Sequence, residues 1–142
     1  MSAENKTIAR RFFLESFNEG NLGIIDELAA PDIVSHDSAL PEPLVGTDAT
    51  KASVTAYRDA FPDLQITIEE QVAEGDMVVT RWTARGTHQG DLLGIAATGK
   101  QATVTGMTID RFADGRVIES RTNWDTLGLL QQLGIVPALA IA

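Results

Sequence analysis

The chain has 142 residues, 44% of them hydrophobic and 22% charged, an ordinary globular composition that excludes disordered, collagenous and coiled-coil classes. A formal net charge of −9 repels phosphate backbones and anionic lipid heads, which excludes nucleic acid and membrane surfaces as partners. With no cysteine there is no disulfide framework, thiolate metal site or thiol nucleophile. The first residues, MSAENKTIARR, lack the apolar core of a signal peptide. The longest apolar run, Ile135–Ala142, falls short of the roughly 20 residues that span a bilayer, and is expected to cover hydrophobic surface. A soluble, cytoplasmic protein with a single domain over residues 1–142 is expected.

Ile8, Phe12, Phe13 and Phe17 share one helical stripe, with Ser2 as a cap and Gly20 as a stop. Asn21 caps a short second helix carrying Leu22, Ile25 and Leu28, and Pro31 ends it. Residues 32–46 hold Pro41 and Pro43 among Ile33, Val34, Leu40, Leu44 and Val45, the composition of an ordered loop. Thr47 caps a third helix, with Val54, Tyr57 and Phe61 at spacings of three and four. Pro62 closes it.

The period then changes to two. Leu64, Ile66 and Ile68 alternate with Gln65, Thr67 and Glu69, as a half-buried strand requires. Glu74-Gly75-Asp76 is a turn, and residues 77–88 form a second strand rich in β-branched side chains. Residues 89–101 contain three glycines and predict a loop. Residues 102–112 and 116–124 are strands joined by Asp114-Gly115, a pair that tolerates the positive φ of a tight hairpin. Asp125 caps a last helix with Leu127, Leu130 and Leu133 facing inward. Segregated helices and strands predict an α+β domain, an antiparallel sheet with helices on one face. Twist in such long strands curves the sheet, and helices over its concave side would enclose a cavity.

Three stretches carry a family resemblance: FNEGNLGIIDELAAPDIVSHD (17–37), EGDMVVTRWTARGTHQGDLLGIAATGK (74–100) and RFADGRVIESRTNWDTLGLLQQLG (111–134). They resemble the SnoaL-like polyketide cyclases, a branch of the nuclear transport factor 2-like fold. The resemblance implies a cone: a curved antiparallel sheet with three N-terminal helices enclosing a pocket. Cyclases of that family close a ring by an intramolecular aldol step. They use a carboxylic acid on the last strand and a histidine on the strand before it. In this chain those positions fall on Thr122 and Thr108. A threonine hydroxyl at its ordinary pKa is no general base near neutral pH. A register slip of three residues would offer Asp125 as the acid, but its place before an apolar helix suits a cap better. The limonene-epoxide hydrolase branch of the fold is similar in its pocket arginine, which lands on Arg81. Its two carboxylates land on Thr83 and Thr122, and its water-holding residues on Ser35 and Asp37.

Three residues are candidates for catalysis. Arg81 is expected to face the cavity, as the resemblance places odd positions of its strand inward. There it would need a partner such as Asp37 or Asp110, and would anchor a carbonyl or carboxylate. The alternative is a structural ion pair or a solvent-facing side chain. Asp37 could move a proton, or simply bond its own loop backbone. Asp110 shares a strand face with Thr108 and is a second acid/base candidate. Its alternative is a surface pair with Arg121. Ser35, His36, Tyr57, Thr83, His88, Thr108 and Thr122 complete the set as substrate-binding candidates, with the Tyr57 hydroxyl as a donor. Trp82 has the opposite parity to Arg81 and is expected on the convex face, where relatives dimerise, so a homodimer is expected. His36 and His88 are the only imidazoles, so no metal site is expected. No dinucleotide or phosphate-binding glycine motif occurs, so no cofactor is expected. The leading expectation is a cofactor-independent enzyme acting by acid/base chemistry on a hydrophobic oxygenated small molecule. The alternative is a binding protein on the same fold.

Overall fold

The computed structural model describes residues 2–140. The first helix, α1 (Ser2–Phe13), runs directly into a π-helical turn, Leu14–Asn18. The wider turn carries the aromatic stripe onward, so Phe12, Phe13 and Phe17 all reach the same interior space. Gly20, at φ +70°, ends the segment as predicted. α2 (Gly23–Leu28) buries Ile24, Ile25 and Leu28.

The chain then departs from the sequence expectation. Residues 29–37 form a strand, β1 (Ala29–Asp37), rather than the end of a helix and a loop. A two-residue strand β2 (Leu44–Val45) turns back on it, and α3 (Thr47–Ala60) follows. Four strands come next: β3 (Gln65–Glu74), β4 (Met77–Thr87), β5 (Gln101–Ala113) and β6 (Arg116–Trp124). The Asp114-Gly115 turn has φ of 52° and 74°, the double positive φ that its sequence signals. α4 (Thr126–Gln132) begins at Asp125, whose carboxylate accepts from Gly128 N at 2.9 Å. Leu129 and Leu133 are its buried leucines, whereas Leu127, expected inside, is 45% exposed.

The six strands form one curved sheet in the order β2-β1-β6-β5-β4-β3, which does not close into a barrel. Every pairing is antiparallel except β1 with β6, which run parallel. β3 is an edge strand. Asn18 covers part of that edge: its amide donates to Ile66 O at 3.0 Å and accepts from Ile66 N at 2.7 Å. Two groups of buried side chains fill the concave side. One joins α1 and α2 to the far end of the sheet through Ile25, Ile33, Val78, Phe112 and Val117. The other gathers Phe13, Phe61, Leu64, Ile66, Trp82, Leu129 and Leu133. The C-terminal apolar run is not the cover it was expected to be: Ile135 and Leu139 are 48% and 74% exposed, and residues 141 and 142 lie outside the described residues. No described helix is long and apolar enough to cross a membrane.

Candidate active site

The sheet register lines up the inward side chains in rungs. One rung crosses five strands and is polar throughout: Asp37 on β1, Thr122 on β6, Thr108 on β5, Thr80 on β4 and Gln71 on β3. The rung beside it carries Ser35, Ser120 and Asp110 and then Val78. On the other side stand Trp124, Gly106, Trp82 and Ile68. The sheet thus presents a band of hydroxyls and carboxyls flanked by aromatic surface. α3 and the π-helical turn close over it and leave a cavity of about 160 Å³. Phe12, Phe13, Phe17, Phe61 and Trp82 give it an apolar wall.

Asp110 is 2% exposed, lines the cavity, and leaves its Oδ2 without a hydrogen-bond partner. Burial pushes its carboxyl up to about 7, with a hydrogen bond from Ser120 as the smaller, opposing influence. Near neutral pH this group therefore exchanges between acid and carboxylate. Thr108, 1% exposed, accepts from Trp82 Nε1 at 3.1 Å and shares a 2.8 Å hydrogen bond with Thr122. Gln71 ties the far end of the polar rung to α1, donating to Thr80 Oγ1 at 3.2 Å and to Lys6 O at 3.0 Å.

A second cluster lies where β1 meets α3. Asp37 Oδ2 accepts from the Tyr57 hydroxyl at 2.6 Å. Asp37 Oδ1 accepts from Trp124 Nε1 at 2.9 Å and from Ala39 N at 2.8 Å. The Tyr57 and Trp124 rings meet edge to face, with centroids 6.1 Å apart. Burial first, then the bond to Asp37 and its charge, hold the Tyr57 phenol above its ordinary range; the Trp124 N–H opposes them.

The structure brings Ser35, His36, Asp37, Tyr57, Asp110 and Thr122 to one cavity, with Thr108 buried against Thr122. His36 also sits 3.7 Å from Glu119. It does not bring Arg81 there. The inward face of β4 carries the even positions, Val78, Thr80, Trp82 and Ala84. Arg81 lies on the outer face, 2.6 Å from Glu70, its partner residue on β3. This corrects the expected inward arginine and, with it, the outward Trp82. Solvent and an adjacent carboxylate satisfy a guanidinium, while the indole gains by burial. Thr83 shares Arg81's face and is likewise outside the cavity wall. His88 is fully buried but stands apart from the cavity. Its Nδ1 accepts from Thr98 N at 3.2 Å and meets Thr98 Oγ1 at 3.1 Å, so it pins the 89–100 loop; its Nε2 has no partner. Asp110 faces Ser120 and not Arg121, which pairs with Glu119.

Sequence reasoning missed Ser120 and the polar roles of Trp124 and Trp82. Ser120 and Trp124 were within reach, because Thr122 shares its parity with both and the Asp114-Gly115 turn fixes the hairpin. Among the described residues, no group of three His, Cys, Asp or Glu is placed to hold a metal ion.

Comparison with known proteins agrees with this architecture. A family model described as SnoaL-like polyketide cyclase matches residues 7–133. Aklanonic acid methyl ester cyclase DauD of Streptomyces sp. (strain C5) is 31% identical over 131 residues, spanning 87% of this chain and 78% of that protein. A proposed SnoaL-like polyketide cyclase from Jannaschia sp. CCS1 matches with a TM-score of 0.88 at 26% identity, over 96% of this chain and 95% of that one. AclR of Streptomyces galilaeus, a proposed hydroxylase, matches with a TM-score of 0.84 at 30% identity, over 99% and 87%.

Proposed function

The chain belongs to the SnoaL-like polyketide cyclase family, and from that premise we propose that it is an enzyme moving protons on a hydrophobic, oxygenated small molecule of polyketide or ester type. The observation that carries this reading is Asp110: a buried carboxyl on the cavity wall, with one oxygen unpartnered and its pKa raised to about 7. A group that titrates near the operating pH serves as both base and acid. As carboxylate, Asp110 takes a proton from a carbon beside a carbonyl. As acid, it returns that proton to a carbonyl oxygen. In an intramolecular aldol closure, the enolate carbon bonds to a second carbonyl carbon while that carbonyl's oxygen takes the proton, so no atom is gained or lost. Asp37 is less suited to that work, because all three donors around it are already engaged on its oxygens.

The test is carbon–hydrogen exchange. Wild-type protein in deuterated buffer is expected to accelerate loss of the methyl proton signal of 2-acetylnaphthalene, with a pH profile turning near 7. Asp110→Asn is expected to be inert. Equal exchange by wild type and variant would overturn the role of Asp110.

One observation favours the rival reading, a binding protein without catalysis. Thr108 and Thr122, at the positions where the family resemblance puts the histidine and the acid, satisfy each other at 2.8 Å. A protein that binds the ketone but exchanges no protons would establish that reading. The expected homodimer is proposed on the outer sheet face, where Val72, Met107 and Ile109 are 62%, 54% and 40% exposed. A sedimentation mass of a single chain would remove it.

A further inference from the structure

This inference rests on the reading above and concerns what the cavity recognises. Tyr57 lines the cavity, but its proton is already committed to Asp37 Oδ2 at 2.6 Å. Asp37 is not free to turn away, because Trp124 Nε1 and Ala39 N both hold Oδ1. A phenol has one donor and two acceptor lone pairs. With its donor engaged, the Tyr57 oxygen offers a ligand acceptor capacity only. Asp110 is the complement. In its acid form, the unpartnered Oδ2 belongs to a carboxyl group that can donate. The two ends are separated by β6, since Asp37 is on β1 and Asp110 is on β5. Two strand spacings put their backbones about 10 Å apart. Between them on the sheet stand the Thr122 and Ser120 hydroxyls of β6, and the aromatic side chains form the facing and flanking wall.

We propose that the cavity selects a ligand with opposite polarity at its two ends: a hydroxyl or enol that donates to the Tyr57 oxygen, and a carbonyl that accepts from Asp110. Tyr57 is then the specificity-determining residue and Asp37 its positioning residue. This reverses the donor role expected of the Tyr57 hydroxyl from the sequence.

Two probes differ in the donor, which a methyl group replaces: 6-acetyl-2-naphthol and its methyl ether, 2-acetyl-6-methoxynaphthalene. Calorimetry on wild-type protein is expected to show the naphthol bound about fivefold to tenfold more tightly, the worth of one hydrogen bond. Tyr57→Phe is expected to erase the difference and leave the ether's affinity within about twofold, since the ether uses no acceptor there. Asp37→Asn is the sharper test. The two donors at Oδ1 fix the new amide oxygen in that position, which turns the amide N–H₂ toward Tyr57. The phenol oxygen then accepts from Asn and its proton is released to the cavity, where the oxygen of either probe can accept it, so the naphthol loses its advantage. A residue that merely held the fold would not level the two probes while keeping both bound. Should Asp37→Asn fail to fold, Tyr57→Phe decides. No preference in wild type, no binding of either probe, or a naphthol preference unchanged in the variants would overturn the proposal. Asp110→Asn is expected to keep the naphthol preference. Loss of proton exchange and loss of donor selectivity are therefore separate outcomes.

Discussion

The Trp82 indole occupies the space that a side chain at Gly106 would need. A Cβ on Gly106 would stand 2.4 Å from Trp82 Cζ2 and 2.6 Å from its Cη2. The two residues are register partners on β4 and β5, and the absence of a side chain lets the indole lie across the sheet and reach Thr108. Gly106→Ala is expected to displace Trp82, break that bond, and destabilise the protein by about 2–3 kcal/mol, the usual size of overpacking plus a lost buried hydrogen bond. Urea unfolding measures the loss, and near-ultraviolet circular dichroism reports the tryptophan. A fully native spectrum with unchanged stability would contradict this packing.

Asp110 should make stability depend on pH. Its folded pKa of about 7 lies above the ordinary carboxylate value of about 4, so the folded state holds a proton that the unfolded chain releases first. The resulting stabilisation is complete below pH ~4 and is lost as pH rises to ~7. Asp110→Asn removes the titration. Relative to wild type, the variant is expected to gain stability between pH 4 and 8, by up to about 4 kcal/mol for a shift of about three pKa units. Denaturant midpoints at both pH values give the difference directly. A constant gap between the two proteins would mean that Asp110 ionises normally.

Arg81→Ala should be nearly silent. Its partner Glu70 is 61% exposed at the side chain and the pair is bathed in solvent, so the expected change in stability is within about 1 kcal/mol. Proton exchange on 2-acetylnaphthalene should not change. A large drop in exchange would return the arginine to the site.

Asn18→Ala should loosen the wall at the sheet edge. The amide satisfies both backbone groups of Ile66, which lines the cavity. Its removal is expected to cost about 1–3 kcal/mol. Amide hydrogen exchange at Ile66 should speed up with it. Unchanged protection would show that water replaces the side chain at no cost.

The sequence made the kinds of element legible, because periodicity and turn chemistry are local. The helical stripe through Phe17, the alternation after Pro62, the Asp114-Gly115 hairpin and the Asp125 cap all depend on neighbouring residues alone. Two things were not legible. The strand at 29–37 exists because β6 arrives beside it, and Pro31 with its polar neighbours hides it from a local reading. Face parity was the other. Register shifts on β3 between Ile68 and Glu70, and on β6 between Val117 and Glu119, switch which residues of those strands point inward. On β4 a usable sign was present: Arg81 and Arg85 share one parity, while Val78, Trp82 and Ala84 share the other. The resemblance to relatives pointed the opposite way. As for the site, the sequence points to Asp37, Tyr57 and Asp110, but not to the hydrogen bond that ties Tyr57 to Asp37.

The parallel seam between β1 and β6 has a consequence for how the molecule is born. Asp37 emerges before Thr122, its register partner, which lies 85 positions later. Closing so distant a contact is entropically slow. The hollow therefore lacks its floor until β6 has been made. Any fragment ending before the last strand leaves Asp37 with neither Thr122 beside it nor the Trp124 indole to hold it.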